Sequence, residues 1–189
     1  MKLSLMCLDI IKNPVKSIAL AKKRKNVNKT LMVLVEDAVL FAIAAALIVA
    51  KTNYNIAVLG SGLSAFFVTL IGIMLFGMTI HISATVLGGK GKYFDGLTAV
   101  AYGAVPLSVG FFIVALLSLV PLTVGIQIVI MAISAAMGLA IIYRGIKDLY
   151  SIDMVTSIVV VSIAIIALFI ALYTSAGISL LGRAATMVV

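Results

Sequence analysis

Residues without charge run in long stretches along this chain, and their lengths set the first expectations. A helix crossing a hydrocarbon core about 30 Å thick needs about 20 apolar residues at 1.5 Å each. The stretch 52–89 has 38 residues free of Asp, Glu, Lys and Arg, too few for two spans and a connection. It predicts one long helix over 63–87, starting after a Gly60, Ser61, Gly62 cap. The stretch 96–143 has 48 such residues, enough for two spans, and Pro121 supplies a break between Ser118 and Thr123. A further span is expected over 154–175. Residues 31–50 are equally apolar but carry Glu36 and Asp37.

Charge decides whether 31–50 crosses. Eight of the fourteen basic residues precede Thr30. With five spans, over 31–50, 63–87, 97–117, 122–143 and 154–175, twelve basic residues fall on one side, and only Lys51 and Arg183 on the other. Four spans give a weaker split of ten against four. The positive-inside rule therefore favours five, with the N-terminus cytoplasmic and the C-terminus outside. The expected fold is all-α: a polytopic transmembrane bundle of five helices, multi-pass in the cell membrane. Residues 1–30 form a basic cytoplasmic segment, and 31–189 a single membrane domain. Tyr93, Tyr102, Tyr143 and Tyr150 are expected at the cytoplasmic interface, where amphipathic rings sit.

In the N-terminal segment Leu8, Ile11, Val15 and Ile18 recur at helical spacing, with Lys12, Lys16 and Lys22 elsewhere. This predicts an interfacial amphipathic helix, restarting at Asn13 as N-cap and Pro14 as first-turn proline. The alternative is a solvated basic tail. Composition supports the membrane reading: 64% of residues are hydrophobic and 11% charged, against about 25% charged in ordinary domains. A net charge of +8 concentrated beside an apolar body points to anionic lipid headgroups rather than nucleic acid, since no aromatics interleave with the lysines. Cys7 is the only cysteine, which removes internal disulfides and cysteine-based metal sites, and no cleavable signal peptide is expected. No cofactor or metal is expected. Ala132, Ala136 and Ala140 form a small-residue ladder, with Ser134 and Gly138 beside it, that lets the fourth span approach a neighbour and leaves a homo-oligomer open.

Candidate chemistry concentrates in 76–112. Glu36 and Asp37 enter about 8 Å from the cytoplasmic end of the first span, and His81 lies at a similar depth in the second. Charges inside a membrane usually face the bundle or find partners, so one of the acids is expected to meet His81, or else the acids snorkel and His81 bonds a carbonyl. Gly88, Gly89, Lys90, Gly91 and Lys92 make either an anion or lipid-headgroup cradle or a tight positive-inside loop. The run lacks the pattern of a nucleotide-binding P-loop. A serine hydrolase is excluded, because twenty helical residues, about 30 Å, separate Ser61 from His81. Pro106 is expected to kink or loosen the third span, flanked by Gly103 and Gly110. Arg144, Lys147, Asp148 and Asp153 are expected in a solvated cytoplasmic loop.

Four short motifs are similar to those of a known family. They are Asn13-Pro14, His81 ahead of Gly88 to Gly91, Ala101-Tyr102 with Pro106, and the run Gly145 to Ile152. Together they resemble the Yip domain family, membrane proteins named for interaction with Rab-type GTPases. The resemblance implies five spans with a cytoplasmic N-terminus. Eukaryotic members make GTPase contacts through a long N-terminal region with an Asp-Leu-Tyr-Gly-Pro motif, which this chain lacks, so the chain looks like the shorter prokaryotic relatives. The resulting expectation is a non-enzymatic protein organising lipid or partner proteins at the cytoplasmic face. The alternative is a small transporter or channel for a solute, ion or lipid that uses Glu36, Asp37 and His81.

Overall fold

A computed structural model describes residues 10–24, 27–51, 56–120 and 124–186, and the described residues contain helices and no strands. Leu8, Cys7 and the Pro121 break lie outside them. The principal helices are α1 (Pro14–Arg24), α2 (Val27–Ala50), α3 (Ile56–Val86), α4 (Tyr93–Leu117), α5 (Val124–Tyr150) and α6 (Met154–Thr186). Helices α2 to α5 are each long and apolar enough to cross a membrane. In α6 the apolar stretch Met154–Ile170 is shorter, although the helix runs on to Thr186.

Helix α4 is the centre of the bundle. It packs against α2, α3 and α5, and α6 lies against α3 and α5. Its run from Gly96 to Pro106 is buried without interruption. Small residues allow this. An ideal Cβ on Gly103 would fall 2.2 Å from Ile142 Cγ1 and 2.9 Å from the Gly138 carbonyl oxygen, and one on Gly110 would fall 2.1 Å from Ser134 Oγ. Backbones that approach this closely gain dispersion contacts that lipid tails cannot supply. The face of α5 that meets α4 is thus Ser134, Gly138, Ile142 and Gly145, all buried. Ala132, Ala136 and Ala140 are exposed on the opposite side. The ladder expected from the sequence lies one helical face away from the true seam.

Other expectations are corrected as well. Helix α3 starts at Ile56 and runs straight through Gly60, Ser61 and Gly62. In lipid an opened backbone has no water to bond, so glycines there serve close approach rather than capping. Gly62 faces Ala42 and Ala46 of α2, with an ideal Cβ 3.4 Å from the Ala42 carbonyl oxygen. Helix α2 starts at Val27 instead of Leu31, which puts Asp37 ten residues, about 15 Å, from its start. Arg144, Lys147 and Asp148 belong to the last turns of α5 rather than to a loop, and Arg144 pairs with Asp148 at 2.8 Å across one helical turn. Asp153 caps α6, accepting the N–H groups of Val155 and Thr156 at 2.9 and 3.0 Å and the Thr156 hydroxyl. These bonds hold its carboxyl below the ordinary carboxylate value, the Thr156 side-chain bond contributing most. Tyr102 and Tyr150 are buried among other side chains.

Helix α1 begins at Pro14 as expected, with the Ser17 N–H bonded to the Asn13 carbonyl at 3.1 Å. Its buried residues are Ser17 and Ile18, with Ile10 ahead of the helix, and it docks on α5 and α4. Val15, expected on the same apolar face as Ile18, is 53% exposed. The helix is therefore amphipathic toward the protein as well as toward its surroundings. Lys22 fixes it to the end of α5, donating to the Asp148 carbonyl and to Ser151 Oγ.

Candidate functional site

Helix α5 ends because Ser151 takes a left-handed conformation, with φ at +55°. That leaves the Tyr150 carbonyl free to accept the Lys90 N–H at 3.1 Å, which ties the α3–α4 loop to the end of α5. The Tyr150 ring then lies in the loop itself. Gly89 and Gly91 carry no Cβ where the ring passes; one built on Gly91 would lie 2.5 Å from Tyr150 Cδ1. Gly88 turns the chain with φ at +88°. The phenol oxygen donates to the Lys92 carbonyl at 3.2 Å and lies 3.1 Å from His81 Nδ1, with Gly96 giving it room. Tyr93 meets the other side of the imidazole edge-on and donates to the Met74 carbonyl at 3.2 Å.

The loop's glycines are therefore a mould for one aromatic ring. Its backbone is already occupied, since Gly88, Gly89 and Lys90 donate to Thr85, Ala84 and Tyr150. Asp95 takes the Lys92 N–H at 2.7 Å. An anion here would meet the side chains of Lys90 and Lys92 rather than a nest of N–H groups. A family profile, that of the Yip1 domain, matches residues 8–176. The chain belongs to the Yip1 domain family. No match was found among curated proteins or among solved structures. Yip1 domains are membrane proteins, and the apolar helices described above fit that class.

Beside the loop, this Yip1 domain holds a cavity of about 140 Å³ lined by Thr30, Lys92, Asp95 and Thr98 together with apolar groups including Phe94 and Leu149. Thr30 and Thr98 bond to each other at 2.9 Å across it. The floor comes from α2 and α4, the wall from α1 and the end of α5.

Asp37 of α2 is bonded elsewhere than at His81. Asp37 is fully buried, with the Ser108 hydroxyl of α4 at 2.6 Å from its Oδ1. The same hydroxyl lies 2.9 Å from the Val105 carbonyl oxygen. Glu36, one residue earlier and so about 100° around the helix, is half-buried. Of the polar cluster expected from the sequence, Asp37 bonds to Ser108 and His81 to Tyr150. Pro106 lies buried within a continuous α4, between the glycines that admit α5. Among the described residues no three His, Cys, Asp or Glu side chains converge as a metal site would require.

Sequence reasoning missed Ser108 and the organising role of Tyr150. Tyr150 carried a signal, since it lies in the Gly145 to Ile152 motif, while Lys92, whose carbonyl it bonds, lies 58 residues earlier. Ser108 had none: a serine two residues after a proline in an apolar run is ordinary in membrane helices.

Proposed function

We propose that this Yip1 domain is a non-enzymatic, five-span protein of the cell membrane that organises lipid at a cytoplasmic face built by α1 and the α3–α4 loop. The N-terminus and that loop lie inside, and the C-terminus lies outside. The observation that carries the reading is the docking of α1. This basic helix is held by Ile18 and Lys22 against α4 and α5, and it turns Lys16, Val15 and Leu20 outward, with Lys12 exposed just ahead of it. A cationic, partly apolar surface of that kind suits the boundary between anionic headgroups and acyl chains. The cavity beside Lys92 adds a place where one headgroup can seat: its volume is several times the roughly 30 Å³ share of a water. Lys92 lines it beside Asp95, while the Thr98 hydroxyl donates to the Phe94 carbonyl at 2.6 Å and the Thr30 hydroxyl to Thr98. The Tyr150 packing supports an organiser over a transporter, because the region between His81 and the loop is filled by side chains.

Reconstitution separates the two classes. Proteoliposomes are expected to show proton and small-solute flux no greater than protein-free vesicles, and to capture vesicles containing phosphatidylglycerol but not purely zwitterionic ones. Flux above the protein-free level, without capture, would overturn the proposal in favour of transport.

A further inference from the structure

The Asp37–Ser108 contact has a proton count that does not balance with an ionised acid. Ser108 Oγ makes two short contacts, 2.6 Å to Asp37 Oδ1 and 2.9 Å to the Val105 carbonyl oxygen. A serine hydroxyl has one hydrogen, and a peptide carbonyl has none to give. If Asp37 is a carboxylate, one of these two contacts sets oxygen against oxygen with no hydrogen between them. If Asp37 is a neutral acid, both are satisfied in series: Asp37 Oδ1–H donates to Ser108 Oγ, and Ser108 Oγ–H donates to the Val105 carbonyl. We propose that Asp37 and Ser108 form an intramembrane proton-binding site, in which the bound proton lies between Asp37 Oδ1 and Ser108 Oγ and locks α2 onto α4.

The surroundings agree. Asp37 Oδ2 is buried and has no hydrogen-bond partner. A carbonyl-type oxygen of a neutral acid bears that far better than half of a carboxylate, whose charge would be spread over both atoms. Among the described residues no counter-cation is bonded to Asp37. The helices packed on α2 in this region are α3 and α4, and neither contains Lys or Arg. His81 of α3 is engaged by Tyr150. On α2 itself Lys29 is eight residues, about 12 Å, away, and Lys51 donates to the Ser118 carbonyl at 2.7 Å. Glu36 is next in the chain and adds only like charge. A proton is the one ligand that fits between two oxygens 2.6 Å apart.

Infrared spectroscopy of the intact protein in lipid at neutral pH reads the proton directly. Wild type is expected to show the C=O stretching band of a protonated carboxylic acid. The band is lost in Asp37→Asn, which is isosteric with the neutral acid, and kept in Glu36→Gln. In Ser108→Ala the band persists but moves to higher frequency, because the acid loses its hydrogen-bond acceptor. This last variant keeps the test independent of whether Asp37→Asn folds. Absence of the band from wild type, or its persistence in Asp37→Asn, would overturn the proposal. A band that does not move in Ser108→Ala would overturn the shared proton.

Discussion

At the scale of single residues, Tyr150 has the widest structural role. Its ring, hydroxyl and carbonyl each bind a different part of the α3–α4 connection. Tyr150→Phe keeps the ring and loses the bonds to Lys92 and His81, a cost of about 1 kcal/mol per hydrogen bond. Gly91→Ala puts a methyl group into the ring and is expected to cost about 1–3 kcal/mol, as overpacking does. Thermal unfolding in detergent measures both. Combined with Tyr150→Ala, the Gly91→Ala penalty should largely vanish, since the clashing group is gone; an additive double variant would contradict the mould. The sequence makes the glycines legible as a special loop and His81 as a residue needing a partner. It does not pair them with Tyr150, because hydrophobic periodicity records which residues turn inward and nothing about which distant ring they meet.

Elements follow the same logic. The α4–α5 seam depends on Gly103, Gly138, Gly110 and Ser134, so Gly103→Ala should destabilise by about 1–3 kcal/mol. Ala136→Leu, on the exposed side of α5, should stay within about 0.5 kcal/mol. Equal effects of the two would contradict the seam. Small residues at four-residue spacing are visible in the sequence on both faces of α5, which is why a ladder could be read and its face misassigned. The start of α6 gives a pH dependence. Asp153 has a depressed folded value, so its capping bonds contribute fully above the ordinary carboxylate value of 3.8 and are lost as pH falls through the lower folded value. Amide exchange at Val155 and Thr156 should therefore stay slow down to about pH 3.8 and quicken below it, after correction for intrinsic rates. Asp153→Ala should show the faster exchange at every pH. Helix ends were the least legible elements. Val27, Ile56 and Tyr150 all lie beyond the boundaries read from run length, because in a membrane a helix stops where its backbone can be satisfied by something else, and not where hydrophobicity fades.

For the whole molecule, run length and charge suffice to read a multi-helix membrane protein, and the Yip1 match agrees with it. Which helix becomes the centre was not legible, since α3, α4 and α5 are about equally apolar and only the packing of small residues selects α4. Cys7 offers a natural probe of orientation. An impermeant maleimide is expected to label it only after the cytoplasmic side is opened, and labelling in intact cells would contradict the proposed topology. Vesicle capture then probes what that face does. Protein immobilised in nanodiscs should bind phosphatidylglycerol vesicles, with binding that weakens as salt rises. With about 1 kcal/mol for each lysine near an anionic surface, Lys12→Gln combined with Lys16→Gln should weaken capture roughly 30-fold. Capture that is unchanged by the double substitution, or equal on zwitterionic vesicles, would contradict a lipid-organising role for the α1 face.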